Sequence, residues 1–194
     1  MFAVSNIEEI LAYNCAPCFA GIKPSNLVSV SMEEFKQISS INLEFLKGKG
    51  FFIKVLCKCS KRVQLFLYHK ESLSNFITQP EVVNALKIFG YSQNSSIEEL
   101  LDILASRMDI SQNSAICKKN SNFPHEIGLF LGYPAEDVIA YYRKKGKDCI
   151  FSGYWKVYSN AEKAAEIFSK YTECKKQFAL QIQNGFRLYD LLSA

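Results

Sequence analysis

The chain is short of several things, and each shortage excludes something. Two histidines and one tryptophan occur among 194 residues, so any imidazole chemistry rests on His69 or His125. No apolar run approaches the roughly 20 residues that span a bilayer, and the opening MFAVSNIEEI has neither the basic head nor the apolar stretch of a signal peptide. These absences predict a cytoplasmic protein with no membrane partner. There is no G-x-G-x-x-G or Walker-type loop; GKG at 48–50 follows a helical pattern and reads as its stop. The net charge of +4 is mild, and lysine and arginine are scattered among acids apart from CKKN (117–120) and YYRKKGK (141–147). Without a basic stripe carrying a recognisable motif, no nucleic-acid partner is expected.

What is present suits one compact domain. Hydrophobic residues make up 48% and charged residues 22% of the chain, enough for a sizeable core. Seven cysteines are an odd number, and a chain of this size does not need a disulfide scaffold, so reduced thiols are expected.

Periodicity and punctuation predict the elements. A first helix begins at Ser5 or Asn6 and leads to Cys15; turn and extended chain follow through CAPCFAGIKPSNLVSVS. Ser31 and Glu34 form a capping box for a helix that stops at Gly48 and Gly50. FFIKVLCKC and RVQLFLYH read as a hairpin, and the chain from Glu71 to Asp109 as three helices, with Pro80 at a helix start. SQNSAICKKNSN reads as a polar loop. FPHEIGLFLGYP reads as an apolar strand with His125 at its mouth, PAEDVIAYYRKKG as a helix, DCIFSGYWKVY as a further strand, and the segment after Asn160 as a long C-terminal helix. The expected fold is therefore α+β: a single domain with a mainly antiparallel sheet of about four or five strands covered by helices.

Three stretches carry a resemblance: FPHEIGLFLGYPAEDV (123–138), GYWKVY (153–158) followed by a helix with FSKYTEC, and the early C-A-P-x-x-A-G-I-K-P-S-N-L. Together they resemble an uncharacterised bacterial family of mostly anaerobic, Clostridia-like organisms, a domain of unknown function, over residues 10–180. Cys15, Lys23, Pro24, His125, Glu126, Gly132, Tyr133, Trp155, Lys156 and Tyr158 fall on its motif positions, and Cys18 departs from it. The resemblance implies no activity or cofactor.

Three function classes stay open. Cys15 and His125 come in the order of a papain-like thiol enzyme, a hydrolase or acyltransferase, with Cys15 as nucleophile, His125 as base and Asp137 as the residue that orients the imidazole. Glu126 cannot orient it from a strand, because neighbouring side chains point to opposite faces. CAPC and CKC offer thiolates to a metal, and a haem or flavin-like cofactor could lie between Tyr133, Tyr154 and Trp155. The third class is a binding module without chemistry, for a small molecule, a peptide or another protein. In GYWKVY, strand alternation puts Tyr154, Lys156 and Tyr158 on one face, where Lys156 would meet an anion, and Lys23 offers a second fixed cation in a proline-rigid loop. The substrate-binding candidates are thus Lys23, Tyr133, Tyr154, Lys156 and Tyr158.

Overall fold

RVQLFLYH is apolar at consecutive positions because the strand it forms is covered on both faces. The computed structural model of the protein describes residues 6–59, 61–113 and 123–193. In it, β1 (Ser25–Ser31), β2 (Phe51–Lys58) and β3 (Arg62–His69) make an antiparallel sheet with β3 in the centre. Val63, Leu65 and Leu67 of β3 face a core built with α1 (Ile7–Asn14), α2 (Ala16–Phe19) and α11 (Leu188–Ser193); Phe66 and Tyr68 face a second core. That second core is built with α5 (Lys70–Ile77), α6 (Pro80–Ile88), α7 (Ile97–Asn113), α8 (Ile127–Phe130) and α9 (Ala135–Lys144). Strand alternation thus sends the two halves of one side-chain row into two hydrophobic cores. A third, smaller cluster packs β4 (Phe151–Ser152) and β5 (Lys156–Val157) against α10 (Ala161–Gln183) through Trp155, Val157 and Tyr171.

The α+β class is as expected, with three strands in one sheet and two in a small second one. Asn6 caps α1 by accepting from Glu8 N–H, the Ser31–Glu34 capping box is present, and Pro80 opens α6. Other expectations change. The single helix after Ser31 is α3 (Met32–Lys36), a 3-10 turn (Gln37–Ser40) and α4 (Leu43–Gly48), because Asn42 starts a new helix by accepting from Phe45 N–H. The apolar stretch after His125 is not a strand: Ile127 N–H donates to Pro124 O and Gly128 N–H to His125 O, closing helical turns into α8. DCIFSGYWKVY is not one strand but a tight hairpin, with Gly153 N–H bonded to Trp155 O. Tyr154 therefore lies in its turn and shares no strand face with Lys156 and Tyr158. The segment 114–122, with Cys117, and Ser60 of the hairpin turn lie outside the described residues.

Contacts distant in sequence join the motif stretches. The Ser25 hydroxyl donates to Phe130 O at 2.6 Å inside the protein. Gly132 (φ +77°) passes so close to Pro24 that an added Cβ would sit 2.6 Å from Pro24 Cδ, and a Cβ on Gly153 would sit 2.2 Å from Phe168 Cε2. Two glycines are thus required by close approach as well as, at Gly132, by backbone conformation. Gly132→Ala is expected to lower stability by about 2 kcal/mol or more in urea unfolding, whereas Gly48→Ala, with nothing within 4 Å of its Cβ, should be neutral or stabilise by about 0.5 kcal/mol.

Candidate functional site

Between α8–α9 and the β4–β5 hairpin lies an open cleft of about 1160 Å³. Its geometry follows from how α9 begins and ends. At the start, Asp137 is buried and its carboxylate accepts from Trp155 Nε1 (2.8 Å), Tyr158 N–H (2.8 Å) and the Ser159 hydroxyl (2.9 Å). One carboxylate thereby fixes the hairpin, the indole and the approach to α10. At the end, Lys145 adopts left-handed backbone (φ +51°) and Lys156 Nζ donates to Gly146 O at 2.6 Å. The sequence YYR then lines the cleft from α9, opposite Tyr154 and Trp155.

The lining is aromatic and basic. Tyr133 stacks on Trp155 with ring centroids 4.9 Å apart, and Tyr141 meets the His125 ring edge-on at 4.9 Å. Arg143, Lys145 and Lys156 line the same cleft, and among the described residues the one carboxylate lining it, Asp137, is spent on its three internal donors. Partial burial lowers the His125 pKa and so favours the neutral imidazole, opposed by the neighbouring Glu126 charge. Glu126 itself is buried and accepts from Arg107 Nη1 (2.5 Å) and from Tyr91 OH (3.3 Å), with the guanidinium also 4.4 Å from the centre of the Tyr91 ring. It locks α7 to the turn before α8.

The expected site residues fall into two groups. His125, Tyr133, Asp137, Tyr154 and Lys156 line the cleft; Cys15 and Lys23 do not, and Tyr158 contributes its backbone to Asp137. Cys15 is fully buried between α1 and α2, and burial together with Cys18 pushes its thiol well above the ordinary value, with Lys23 and Lys175 pulling the other way. The rings packed against His125 are those of Phe123 and Tyr141, and among the described residues no hydrogen bond or ring contact joins it to Cys15. Asp137 serves Trp155, Tyr158 and Ser159 rather than the imidazole. Among the described residues no group of three or more histidine, cysteine or acidic side chains converges on a metal-sized point. CKC does not bring two thiols to one site: Cys57 is buried in β2, whereas Cys59 lies past the end of the strand and is only half-buried.

Lys23 is the surprise. It is 4% exposed, and burial brings its ammonium down to about 8 although the two thiols favour its charge. Tyr141, Tyr142, Arg143 and Lys145 were visible in the sequence only as a basic cluster. The helical spacing of PAEDVIAYYRKK, which puts Asp137 and Tyr141 one turn apart, was the signal that could have tied them to Asp137.

A family profile described as a protein of unknown function, DUF3793, matches residues 11–192. No curated protein and no solved structure matches the chain.

Two outcomes test this description. Iodoacetamide should alkylate Cys59 first among the described cysteines, because backbone N–H groups and Arg62 lower its thiol, and should reach Cys15 and Cys18 only on unfolding; peptide mass spectrometry reads the order. Asp137→Asn turns an amide N–H toward donors, which should cost about 2–4 kcal/mol in denaturant unfolding and shift the Trp155 emission to the red.

Proposed function

The chain belongs to the DUF3793 family, and we propose that it is a binding module whose cleft takes a small anion carrying an aromatic ring. The observation that carries this reading is the pairing of Tyr133, Tyr141, Tyr154 and Trp155 with Arg143, Lys145 and Lys156 around a cleft in which, among the described residues, the only carboxylate is already satisfied. Rings offer stacking faces, and the unopposed cations select negative charge. The cleft volume of about 1160 Å³ suits a ligand of nucleotide or cofactor size.

The thiol hydrolase or acyltransferase reading of Cys15, His125 and Asp137 draws no support from this geometry. A buried thiol with a raised pKa is a poor source of thiolate, and its base and orienting residue stand in another site. A cytoplasmic setting fits the six free thiols among the described residues, and none of their helices is long and apolar enough to cross a membrane.

Trp155 is the single tryptophan and lines the cleft, so its fluorescence reads occupancy. Adenosine monophosphate should quench it at concentrations about tenfold or more below those needed for adenosine, and naphthalenesulfonate should do the same relative to naphthol. Added salt, or Arg143→Ala with Lys145→Ala, should remove most of that difference. If neither anion outbinds its neutral counterpart, the reading fails.

A further inference from the structure

Away from the cleft lining, the protein buries an ammonium and, among the described residues, gives it no carboxylate. Lys23 Nζ stands 5.0 Å from the centre of the Tyr133 ring and 5.7 Å from that of Tyr171. The titratable groups facing it are those two phenols, the thiols of Cys15 and Cys18, and the ammonium of Lys175. Among the described residues no ion pair or side-chain hydrogen bond joins Lys23 to a carboxylate. Its stem is held: Lys23 N–H donates to Pro17 O (3.0 Å), Pro24 follows it, and its Cγ lies 3.9 Å from where a Cβ on Gly132 would be. A charge left unpaired in an apolar setting is costly, and the two ring faces offset only part of that cost.

Lys175 supplies the second half of the arrangement. It is half-buried on α10, with Nζ 5.3 Å from the Tyr13 ring centre and 5.6 Å from that of Tyr154, and it is within electrostatic reach of both Cys15 and Lys23. A lysine that is both desolvated and placed beside another cation is the arrangement that makes an amine nucleophilic near neutral pH. The second cation also lacks a carboxylate among the described residues.

We propose that Lys23 is a nucleophilic amine that condenses with the carbonyl carbon of a small oxo acid, whose carboxylate pairs with Lys175. The Lys23 Nζ lone pair forms the carbon–nitrogen bond. The carbonyl oxygen leaves as water, carrying the two hydrogens of the amine, and a carbon–nitrogen double bond remains; no oxidant or reductant is consumed. A protonated imine keeps its charge over the Tyr133 and Tyr171 rings. Burial pushes the Tyr133 phenol up to about 12, so it stays neutral and adds no competing charge. The assignment does not rest on the cleft reading, because Lys23 stands behind Tyr133 and is not part of the cleft wall.

The test is reductive trapping on the full chain. The protein is incubated with limiting glyoxylate and sodium cyanoborohydride at about pH 8, where Lys23 titrates, and labelled lysines are mapped by mass spectrometry. About half of an amine titrating near 8 is unprotonated there, against about one in 250 for an ordinary lysine, so Lys23 should lead surface lysines about tenfold or more. Because the folded-state pKa is lowered, the reactive form appears as pH rises through that value, and the label on Lys23 should fall steeply about two pH units lower. Propanal, which lacks the carboxylate, should label Lys23 several-fold less relative to surface lysines, and Lys175→Gln should abolish this preference. Lys23→Arg should lose the leading label while the rest of the map is unchanged. Labelling of Lys23 no faster than surface lysines, or a lead that is the same for propanal and glyoxylate, overturns the proposal; both are read on the unmodified sequence.

Discussion

The structure hangs on one constraint, the burial of β3 on both faces. A strand whose odd and even side chains both leave water must be covered by two layers, and every helix of the fold lies in one of those layers or extends it. Burying Leu65, Phe66 and Leu67 completely contributes on the order of 2 kcal/mol per side chain, and it also dictates order. The central strand needs a partner on each edge, and β1 and β2 supply them antiparallel. The early motif is carried to the sheet by β1, whose register sets Ser25 against Tyr68 and delivers the Ser25 hydroxyl to Phe130 O across the protein. The position of the later motif follows from that contact.

The residues that make the sequence distinctive are largely spent on one another. Glu126 is taken by Arg107 and Tyr91, Asp137 by Trp155, Tyr158 and Ser159, and Gly132 by Pro24. Buried carboxylates of this kind must be fully bonded, since a half-satisfied one in a low-dielectric interior destabilises more than an apolar residue would. Their role is to hold α7, α8, α9 and the hairpin in one arrangement. Among the described residues, the cations of the cleft rim and Lys23 take part in none of these carboxylate contacts, and the proposed chemistry rests on them.

Much of the fold was legible in the sequence because it is written in local codes. Asn6, Ser31 with Glu34, and Pro80 are start signals whose meaning does not depend on distant residues, and the β-branched and aromatic content of β2 and β3 marks the hairpin. What failed was decided at long range. A continuous apolar run such as IGLFL fits a buried strand or a buried helical turn equally, and only packing on all sides selects the turn. GYWKVY alternates like a strand, yet Gly153 must pass Phe168 closely, and the chain folds back there. The candidate site split for the same reason. His125, Tyr133, Asp137, Tyr154 and Lys156 belong to one cleft, but Lys23 lies over Tyr133 and Tyr171, residues more than a hundred positions away that no spacing rule connects to CAPC, and Cys15 is taken into the core against β3.

Tyr133 joins the two regions physically. Its ring carries Lys23 Nζ at 5.0 Å and stacks on Trp155, which lines the cleft. A cation over a ring draws electron density toward itself and weakens the repulsion that the ring's π-face would otherwise offer to negative charge. Through Tyr133, then, the charge state of Lys23 alters the electrostatics of the cleft wall although the lysine does not reach the cleft. Deprotonating the Lys23 amine removes that charge without moving the backbone, because the stem of Lys23 is pinned by Pro17, Pro24 and Gly132. The coupling between the two regions is therefore electrostatic and short-ranged, carried by one aromatic ring, and it depends on the close approach that Gly132 alone permits.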